Sequence, residues 1–167
     1  MKTLYMIGGT MGVGKTTTCR ILRDLLPDCA FLDGDWCWDM HPFRVTAETK
    51  EMVLDNIVHV LNGFLRCSAF QNVVFCWVLH EQAIADAILS RLEGPFALRR
   101  VSLVCTPEKL AERLMRDVRA GLRDESVVAR SVPRLPLYDR LDGEKLDVSE
   151  LTPGEAARRI AGMGFYG

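Results

Sequence analysis

The sequence predicts an α/β fold in which a parallel β-sheet is covered by helices on both faces. Short apolar runs alternate along the chain with stretches of helical periodicity, an order typical of strands joined by right-handed helical crossovers. The run from Val73 to Leu79 is apolar throughout and rich in β-branched and aromatic residues, as expected of a strand buried on both faces. We therefore expect this strand near the middle of the sheet.

The first strand and the first helix flank a glycine-rich loop. Leu4 to Ile7 is a short apolar run that Gly8 closes, and from Lys15 to Leu26 the apolar residues recur at helical spacing. The next apolar run, Cys29 to Leu32, predicts a second strand. This strand stops at Asp33-Gly34-Asp35, a sequence that predicts a tight turn.

A long helix and a shorter one surround the strand at Val73 to Leu79. From about Thr46 to Ser68 the apolar residues fall on neighbouring faces of a helix, and a second helical pattern runs from Glu81 to Leu92. Leu98 to Cys105 alternates or runs apolar and predicts the fourth strand. Strands and helices thus alternate, as a parallel sheet requires.

Capping residues mark the last two helices. A threonine followed by a proline predicts a helix from Pro107 to about Ala120, and Thr152 with a glutamate three positions later has the spacing of a capping box. Between these helices lies a segment from Gly121 to about Leu141 that is rich in arginine and interrupted by prolines. Lys145 to Val148 predicts a short last strand.

The composition predicts a single globular domain over residues 1–167. Apolar residues make up 49% of the chain and charged residues 26%, which is ordinary for a folded soluble protein and argues against disorder. The formal net charge of −1 provides no global field for a polyanion, so nucleic acid and anionic membranes are not expected as partners. Any affinity for phosphate would have to be local.

Cysteine spacing and the N-terminus favour a reducing, cytoplasmic location. The six cysteines contain no C-x-x-C pair, so neither a zinc site nor a disulfide is expected. The N-terminus runs into Gly8 and Gly9 without the long apolar region of a signal peptide. The longest apolar run, Val73 to Leu79, is too short to span a bilayer.

The loop from Gly9 to Thr16 carries the clearest functional signal. It satisfies the pattern G-x-x-x-x-G-K-[ST] between a predicted strand and a predicted helix, which is the context of a P-loop. Glycines let successive backbone N–H groups point inward, forming an anion-binding nest at the positive end of the helix. The expected nucleotide-binding residues of this loop are Gly9, Gly12, Val13, Gly14, Lys15, Thr16 and Thr17.

Three side chains of this loop have expected roles toward ATP. Lys15 would reach the β- and γ-phosphates as a catalytic point charge, and the hydroxyl of Thr16 would bind the Mg²⁺ that bridges those phosphates. Thr17 can contact the α-phosphate. The alternative is a glycine-rich turn with a solvated lysine, which the strand and helix on either side argue against.

Two aspartates follow the second strand, at the edge of the sheet where ligands bind in open α/β folds. Residues two apart in an extended segment point the same way. Phosphoryl transfer needs a carboxylate near the metal and another that orients or deprotonates an acceptor hydroxyl. Asp33 is therefore a candidate metal ligand, and Asp35 a candidate catalytic and substrate-binding residue. Trp36, Trp38 and Arg44 can offer the acceptor aromatic walls and a cation, or they can pack under a helix. The alternative is an Asp-Gly turn whose carboxylates bind only local backbone amides.

The segment from Arg113 to Arg134 is dense in arginine. Spread over a helix and a loop, these guanidinium groups can close over the phosphates and stabilise charge during transfer. Arg116 and Arg123 are the leading catalytic candidates, and Arg119 is next. The alternative is a solvated amphipathic helix with i,i+4 ion pairs such as Glu112 with Arg116.

These motifs resemble those of the shikimate kinase, gluconate kinase and chloramphenicol phosphotransferase group of P-loop kinases, over nearly the whole chain. The glycine loop is shared with P-loop NTPases generally, and Asp33-Gly34-Asp35 is similar to the D-x-D after that group's second strand. Arg113 to Arg134 resembles its lid. The stretches Leu137 to Asp142 and Lys145 to Pro153 are similar to the segment that ends the lid and cups the adenine in nucleotide kinases of this group.

The resemblance implies a P-loop NTPase three-layer sandwich with a five-stranded parallel sheet of order 2-3-1-4-5 and an arginine-rich helical lid at about residues 113–140. It implies that Asp33 holds Mg²⁺ through water and that Asp35 orients the acceptor. It also implies that Arg116 packs on the adenine and that the segment from Val148 to Pro153 lines the base.

The sequence departs from this group after the strand Val73 to Leu79. His80 and Glu81 follow it, without the aspartate of a Walker B motif, so Asp33 has to take that role or the metal binds more weakly. No glycine cluster follows either, and Trp77 stands in that neighbourhood, so shikimate is not the expected acceptor. His80 lies at the edge where ligands are expected and is a candidate substrate contact.

The sequence thus predicts a kinase that transfers the γ-phosphoryl group of Mg-ATP to a small molecule. The acceptor is left open among a nucleoside, a nucleotide, a sugar acid and an antibiotic-like alcohol. The alternative function is an ATP-binding switch or sensor with little transfer activity. A monomer and a homodimer are both compatible with the sequence.

Overall fold

A computed structural model describes residues 1–162, and these contain a five-stranded parallel sheet. Its strands are β1 (Lys2–Gly8), β2 (Cys29–Asp33), β3 (Asn72–Cys76), β4 (Phe96–Val104) and β5 (Glu144–Asp147). They lie in the order β2-β3-β1-β4-β5, and every neighbouring pair is parallel. The predicted fold class and strand order are confirmed.

Helices connect the strands in the predicted alternation. The α-helices of the described residues are α1 (Lys15–Leu25), α2 (Ala47–Arg66), α3 (Gln82–Leu89), α4 (Pro107–Arg119), α5 (Ser126–Ser131) and α6 (Pro153–Gly162). Two 3₁₀ helices, Gly34–Trp38 and Val132–Arg140, complete the described elements. No helix within residues 1–162 combines the length and the apolar character that crossing a membrane requires.

Strand β1 lies in the middle of the sheet and separates two cores. Its residue Leu4 pairs with Val73 of β3 on one side and with Leu98 of β4 on the other. Tyr5 and Ile7 face a core shared with α1, α4, α5 and α6, whereas the side chains on the opposite face of β1 join a core shared with α2 and α3. The molecule is therefore a sandwich of three layers.

Strand β3 is interior but shorter than predicted, ending at Cys76 rather than Leu79. Leu79 has a positive φ of 41°, which a strand cannot accommodate. The carbonyl of Val78 instead accepts hydrogen bonds from the backbone N–H of Gly9 at 3.3 Å and from the hydroxyl of Tyr138 at 2.6 Å. These bonds turn the chain out of the sheet and toward the neighbouring loops.

Both predicted helix caps are present. The hydroxyl of Thr106 accepts from the backbone N–H of Lys109 at 3.3 Å at the start of α4. At the start of α6, the hydroxyl of Thr152 accepts from the N–H of Glu155 at 3.2 Å, and the Glu155 carboxylate accepts from the N–H of Thr152 at 2.8 Å. The reciprocal bonds form a capping box.

The arginine-rich segment is helical, as predicted. It begins on α4, continues through α5 and ends in the 3₁₀ helix Val132–Arg140, where Tyr138 is fully buried. Tyr138 ties this segment to the chain that follows β3. Whether the segment closes as a lid stays a prediction.

Candidate functional site

A cleft of about 1420 Å³ opens where the strands end. The segments that follow β1, β2, β3 and β5 all contribute to its walls, as expected for the carboxyl edge of a parallel sheet. A pocket for one small molecule usually measures roughly 300–1,000 Å³. The cleft thus has room for a nucleotide and a second molecule.

Cationic side chains outnumber acidic ones along the walls of the cleft. The acidic residues are Asp35, Glu81, Glu112 and Asp117. The cationic residues are Lys15, Lys50, Lys109, Arg113, Arg116, Arg123 and Arg134. Although the chain as a whole carries a formal charge of −1, the cleft is locally suited to a polyphosphate.

The glycine loop has the conformation that its sequence predicts. Gly14 takes a left-handed φ of 92° and caps the N-terminus of α1, where backbone N–H groups lack helical partners. Gly12 has a φ of 86°, and a Cβ there would lie 2.4 Å from the Leu114 side chain on α4. The loop therefore requires glycine at both positions.

Lys15 lies at the base of the cleft. Its ammonium group donates to the carbonyl of Thr10 at 3.1 Å. Burial lowers the pKa of Lys15, and the negative charges of Asp35 and Asp33 act in the opposite direction. A partly desolvated ammonium group next to the nest strengthens the attraction of the loop for phosphate.

Thr16 and Asp33 are hydrogen bonded to each other. The Thr16 hydroxyl donates to Oδ2 of Asp33 at 2.6 Å, while Oδ1 of Asp33 accepts from the backbone N–H of Asp35 at 2.9 Å. Asp33 is buried, and in the sheet it stands beside Cys76, the last residue of β3. A carboxylate of β2 therefore lies beside the end of β3.

The Thr16–Asp33 pair fits the requirements of Mg²⁺. Within residues 1–162, no three histidine, cysteine or acidic side chains come together as a metal site. Mg²⁺ does not need one, because it usually binds one or two protein oxygens and completes its shell with phosphates and water. The hydroxyl and carboxylate oxygens beside the glycine loop are donors of that kind.

From the sequence we expected Asp35 to continue the extended strand and to point the same way as Asp33. The structure shows that this expectation is wrong. Gly34–Trp38 forms a 3₁₀ helix, so the side chains of Asp33 and Asp35 diverge, one buried and one exposed in the cleft. Partial burial, followed by the charge of Asp33, raises the pKa of Asp35, whereas Lys15 and a hydrogen bond from Trp77 lower it. The environment of Asp35 thus makes its carboxylate more basic than that of an ordinary aspartate.

Gly34 lets Trp77 form the floor beside these aspartates. A Cβ on Gly34 would lie 2.5 Å from Cγ of Trp77, so the indole ring packs directly against the glycine backbone. Trp77 is only 8% exposed but lines the cleft. The glycine of the Asp33-Gly34-Asp35 sequence is therefore a packing requirement as well as a turn residue.

Two predicted substrate residues, Trp36 and Arg44, are not among the residues that line the cleft. The Trp36 ring packs edge-on against Phe31, with ring centroids 5.3 Å apart. Trp38 and Lys50 line the cleft in their place. The sequence offered both tryptophans as aromatic walls and could not separate them, because the direction in which each side chain of a 3₁₀ helix points cannot be read from so short a segment.

His80 lines the cleft, as predicted, next to the end of β3. Its Nε2 lies 3.3 Å from the carboxylate of Glu81, while Nδ1 is buried without a hydrogen-bond partner among the described residues. Burial, followed by the charge of Arg134, lowers the pKa of His80, and Glu81 opposes this. Among the described residues, one nitrogen of the His80 imidazole thus stays without a hydrogen bond.

The leading arginine candidates, Arg116 and Arg123, both line the cleft, whereas Arg119 does not. Arg116 is exposed and lies 3.8 Å from Glu112, the i,i+4 pair that the sequence suggested as an alternative. Arg123 donates to the Asp117 carboxylate at 2.9 Å. Arg123 is thus held by an acidic neighbour on α4, whereas Arg116 stays largely exposed beside one.

Arg113 is a cleft residue that sequence reasoning did not single out. Its guanidinium group donates to the carbonyl of Val148 at 2.7 Å and to that of Val13 at 3.4 Å. It therefore joins the glycine loop to the chain after β5. The only sequence signal for it is a position one turn before Arg116 on the same helix.

The residues expected to line the adenine form one wall of the cleft. Val148 and Pro153 both lie in it, next to Ser149 and Leu151. Thr17 of the glycine loop also lines the cleft, whereas Gly9 lies behind it and bonds to Val78. The predicted loop and base-wall residues are thus brought to one side of the cleft.

The chain is similar to known proteins in both sequence and structure. The model of a family described as AAA domain matches residues 6–130. No curated protein matches the chain. A gluconokinase from Sinorhizobium meliloti is similar in structure, with a TM-score of 0.67 and 19% identity over 95% of this chain and 89% of that one.

Two further solved structures share the fold. The tunicamycin resistance protein of Deinococcus radiodurans has a TM-score of 0.69 and 18% identity, over 96% of this chain and 94% of that chain. The shikimate kinase of Acinetobacter baumannii, solved in complex with shikimate, has a TM-score of 0.60 and 22% identity, over 96% of this chain and 91% of that chain. At these identities the similarity establishes the fold.

Proposed function

The chain belongs to the AAA domain family, and we propose that it acts as an ATP-dependent small-molecule kinase. The γ-phosphoryl group of ATP would pass to a hydroxyl or phosphate group of a small acceptor. The observation that carries this proposal is the arrangement around the glycine loop: Lys15, Thr16 and Asp35 line one cleft, and Thr16 holds the buried carboxylate of Asp33.

The nucleotide would bind with its phosphates on the glycine loop. The backbone N–H groups at the start of α1 and the ammonium group of Lys15 would hold the β- and γ-phosphates. Thr16 and Asp33 would hold Mg²⁺, directly or through water, and bound Mg²⁺ supplies charge neutralisation on the same phosphates. Arg113 would fix the base wall at Val148 relative to the loop.

Asp35 is placed to serve the acceptor. In the proposed step, the acceptor oxygen forms a bond to the γ-phosphorus while the bond from that phosphorus to the β–γ bridging oxygen breaks. ADP leaves with the bonding electrons, and the hydroxyl proton passes to the carboxylate of Asp35. The raised pKa of Asp35 supports this role, because a base is most useful when its pKa approaches the working pH.

Arg123 would stabilise the transferred group. Its charge is close enough to lower the pKa of Asp35, so the guanidinium group and the carboxylate share one region of the cleft. A cation in this region can neutralise charge that develops on the γ-phosphoryl oxygens. Asp117 holds the guanidinium group in place.

A transfer assay with variants of the two central residues tests this function. The protein is incubated with Mg-ATP and a panel of small alcohols and nucleotides, and phosphorylated product is measured. Lys15→Ala should lose both ATP binding and transfer, whereas Asp35→Asn should bind ATP and lose transfer. Asp39→Asn, an exposed aspartate outside the cleft lining, is the matched control. ATP binding without transfer to any acceptor would favour the switch function instead.

A further inference from the structure

We infer that the acceptor carries its hydroxyl group on a flat, apolar ring, and that Trp38 and Trp77 pack against this ring. The inference rests on the proposed kinase function and names the substrate class for it. Its basis is the half of the cleft that lies toward α2 and α3, opposite the base wall.

Apolar side chains dominate this half of the cleft. Three of them are aromatic and four are aliphatic. They come from the 3₁₀ helix Gly34–Trp38, the loop before α2, α2 itself, the chain that follows β3, and α3. They are Trp38, Phe43, Trp77, Val45, Leu54, Val78 and Ile84.

The aromatic residues provide both a rigid wall and an exposed one. Trp77 is held against the backbone of Gly34, so its ring is fixed before any ligand arrives. Trp38 and Phe43 contact each other with ring centroids 5.5 Å apart, and Phe43 is 65% exposed. A flat ring that enters between these walls would remove their apolar surface from water, which is favourable in proportion to the area buried.

The polar side chains of this half are Asp35, Lys50, His80, Glu81 and Arg134, none of which carries an uncharged hydroxyl or amide group. Among the described residues, no serine, threonine, asparagine, glutamine or tyrosine side chain lines it. A sugar acid would therefore turn several hydroxyl groups toward tryptophan and aliphatic carbon, and each hydroxyl left without a partner is costly. Asp35 would meet the reacting hydroxyl, and the other charged side chains of this half can bind further polar groups of the acceptor. The inference therefore rests on the apolar walls.

The neighbouring tryptophans give a matched pair of variants. Trp38 lines the cleft, whereas Trp36, two positions earlier, packs on Phe31 outside it. Losing a stacking partner should raise the KM for a ring acceptor roughly tenfold. Trp38→Ala should show this rise with an unchanged KM for ATP, Trp38→Phe should recover most of the affinity, and Trp36→Ala should change the KM for the acceptor little.

Two sets of acceptors test the substrate class with the full chain and Mg-ATP. One set contains phenols and benzyl alcohols, whose hydroxyl group lies on or next to a flat ring, and the other contains aldonic acids with several hydroxyl groups. Phosphorylated product is measured for both, and ring binding is followed separately by quenching of tryptophan fluorescence in a Trp36→Phe background. We expect transfer to ring alcohols, with quenching that Trp38→Phe weakens.

The outcomes separate this inference from the proposed function. Transfer to aldonic acids but not to ring alcohols overturns the inference and leaves the kinase function standing. Quenching by ring alcohols without transfer to any acceptor supports the ring site and overturns the kinase function. Ring alcohols that neither quench nor accept phosphate overturn the inference, as does an equal effect of Trp36→Ala and Trp38→Ala on the acceptor KM.

Discussion

The hydroxyl of Thr16 lies 2.6 Å from the carboxylate of Asp33, which joins the first turn of α1 to the end of β2. Thr16 is the last residue of the glycine loop pattern, and Asp33 is buried beside the end of β3. The bond fixes both oxygens next to the site proposed for the phosphates. The chain thus has a carboxylate at the loop even though β3 ends without one.

Replacing Asp33 by asparagine should weaken the response to Mg²⁺. The amide keeps the shape of the side chain but loses the negative charge that Mg²⁺ favours. We expect metal affinity to fall roughly 10- to 100-fold, the usual effect of losing such a partner. The initial rate measured against Mg²⁺ concentration checks this, and an unchanged half-saturating concentration would count against the assignment.

The transfer rate should fall in acid because Asp35 must be ionised to accept a proton. The pKa of Asp35 is raised above its ordinary value of 3.8, so the loss of rate should begin at a higher pH than for an unperturbed aspartate. Asp35→Asn should lower kcat by roughly 10²- to 10⁴-fold and remove this acid limb. Profiles of kcat against pH for both proteins provide the measurement.

Ionised Asp35 should also lower the free energy of unfolding at neutral pH. Because the folded state raises the pKa of Asp35, the fold binds that proton more tightly than the unfolded chain does. The stability that protonated Asp35 contributes to the fold is fully present below the ordinary pKa of an aspartate. It is lost as the pH rises through the raised pKa of the folded state. Asp35→Asn should therefore unfold at a higher urea concentration than the wild type at neutral pH, with the difference shrinking in acid. A constant difference across pH would contradict this.

Gly34 and Gly63 should respond to alanine in opposite ways. A Cβ on Gly34 meets three Trp77 ring atoms at 2.5 to 2.9 Å, whereas one on Gly63 in α2 meets nothing within 4 Å. Gly34→Ala should lower the free energy of unfolding by about 1–3 kcal/mol through overpacking. Gly63→Ala should raise it by about 0.5–1 kcal/mol through helix propensity. Urea titrations of both variants measure the two changes in the free energy of unfolding. If both variants change it in the same direction, the close contact of Gly34 with Trp77 does not decide the effect of Gly34→Ala.

Arg113 should act on nucleotide affinity rather than on the chemical step. Its guanidinium group holds the carbonyls of Val13 and Val148, and such charged hydrogen bonds contribute about 1.5–3 kcal/mol. Arg113→Met should raise the KM for ATP roughly tenfold or more with a smaller change in kcat. Arg119→Met, on the same helix but outside the cleft lining, serves as the control. A fall in kcat alone would place Arg113 in the chemistry instead.

The fold was predictable because the short-range sequence patterns indicated the same strands and helices that a parallel α/β sheet requires. The alternation of strands and helices, the glycine loop and the two helix caps are short-range features, and each depends on a few neighbouring residues. The end of β3 was not predictable, because apolar character continues to Leu79 while the strand stops at Cys76. The carbonyl of Val78 beyond this end accepts hydrogen bonds from Gly9 and Tyr138, which are both remote in sequence.

The site was predictable in its glycine loop and less so in its walls. Lys15 and Thr16 follow from a motif, but the choice between Trp36 and Trp38 depends on the facing of a 3₁₀ helix. Arg113 was passed over for a related reason. Its partners Val13 and Val148 lie 100 and 35 positions away, and backbone carbonyls leave no mark on the sequence.

The central position of β1 has a consequence for the order in which this protein can become active. The glycine loop follows β1, the first strand of the sheet in chain order, yet both neighbours of β1 come later, at Asn72–Cys76 and Phe96–Val104. A chain emerging from the ribosome therefore displays its phosphate-binding loop long before the strands that shape it exist. Under the proposed function, nucleotide would stabilise this fold only once β3 and β4 flank β1, and not at the stage of the early nascent chain.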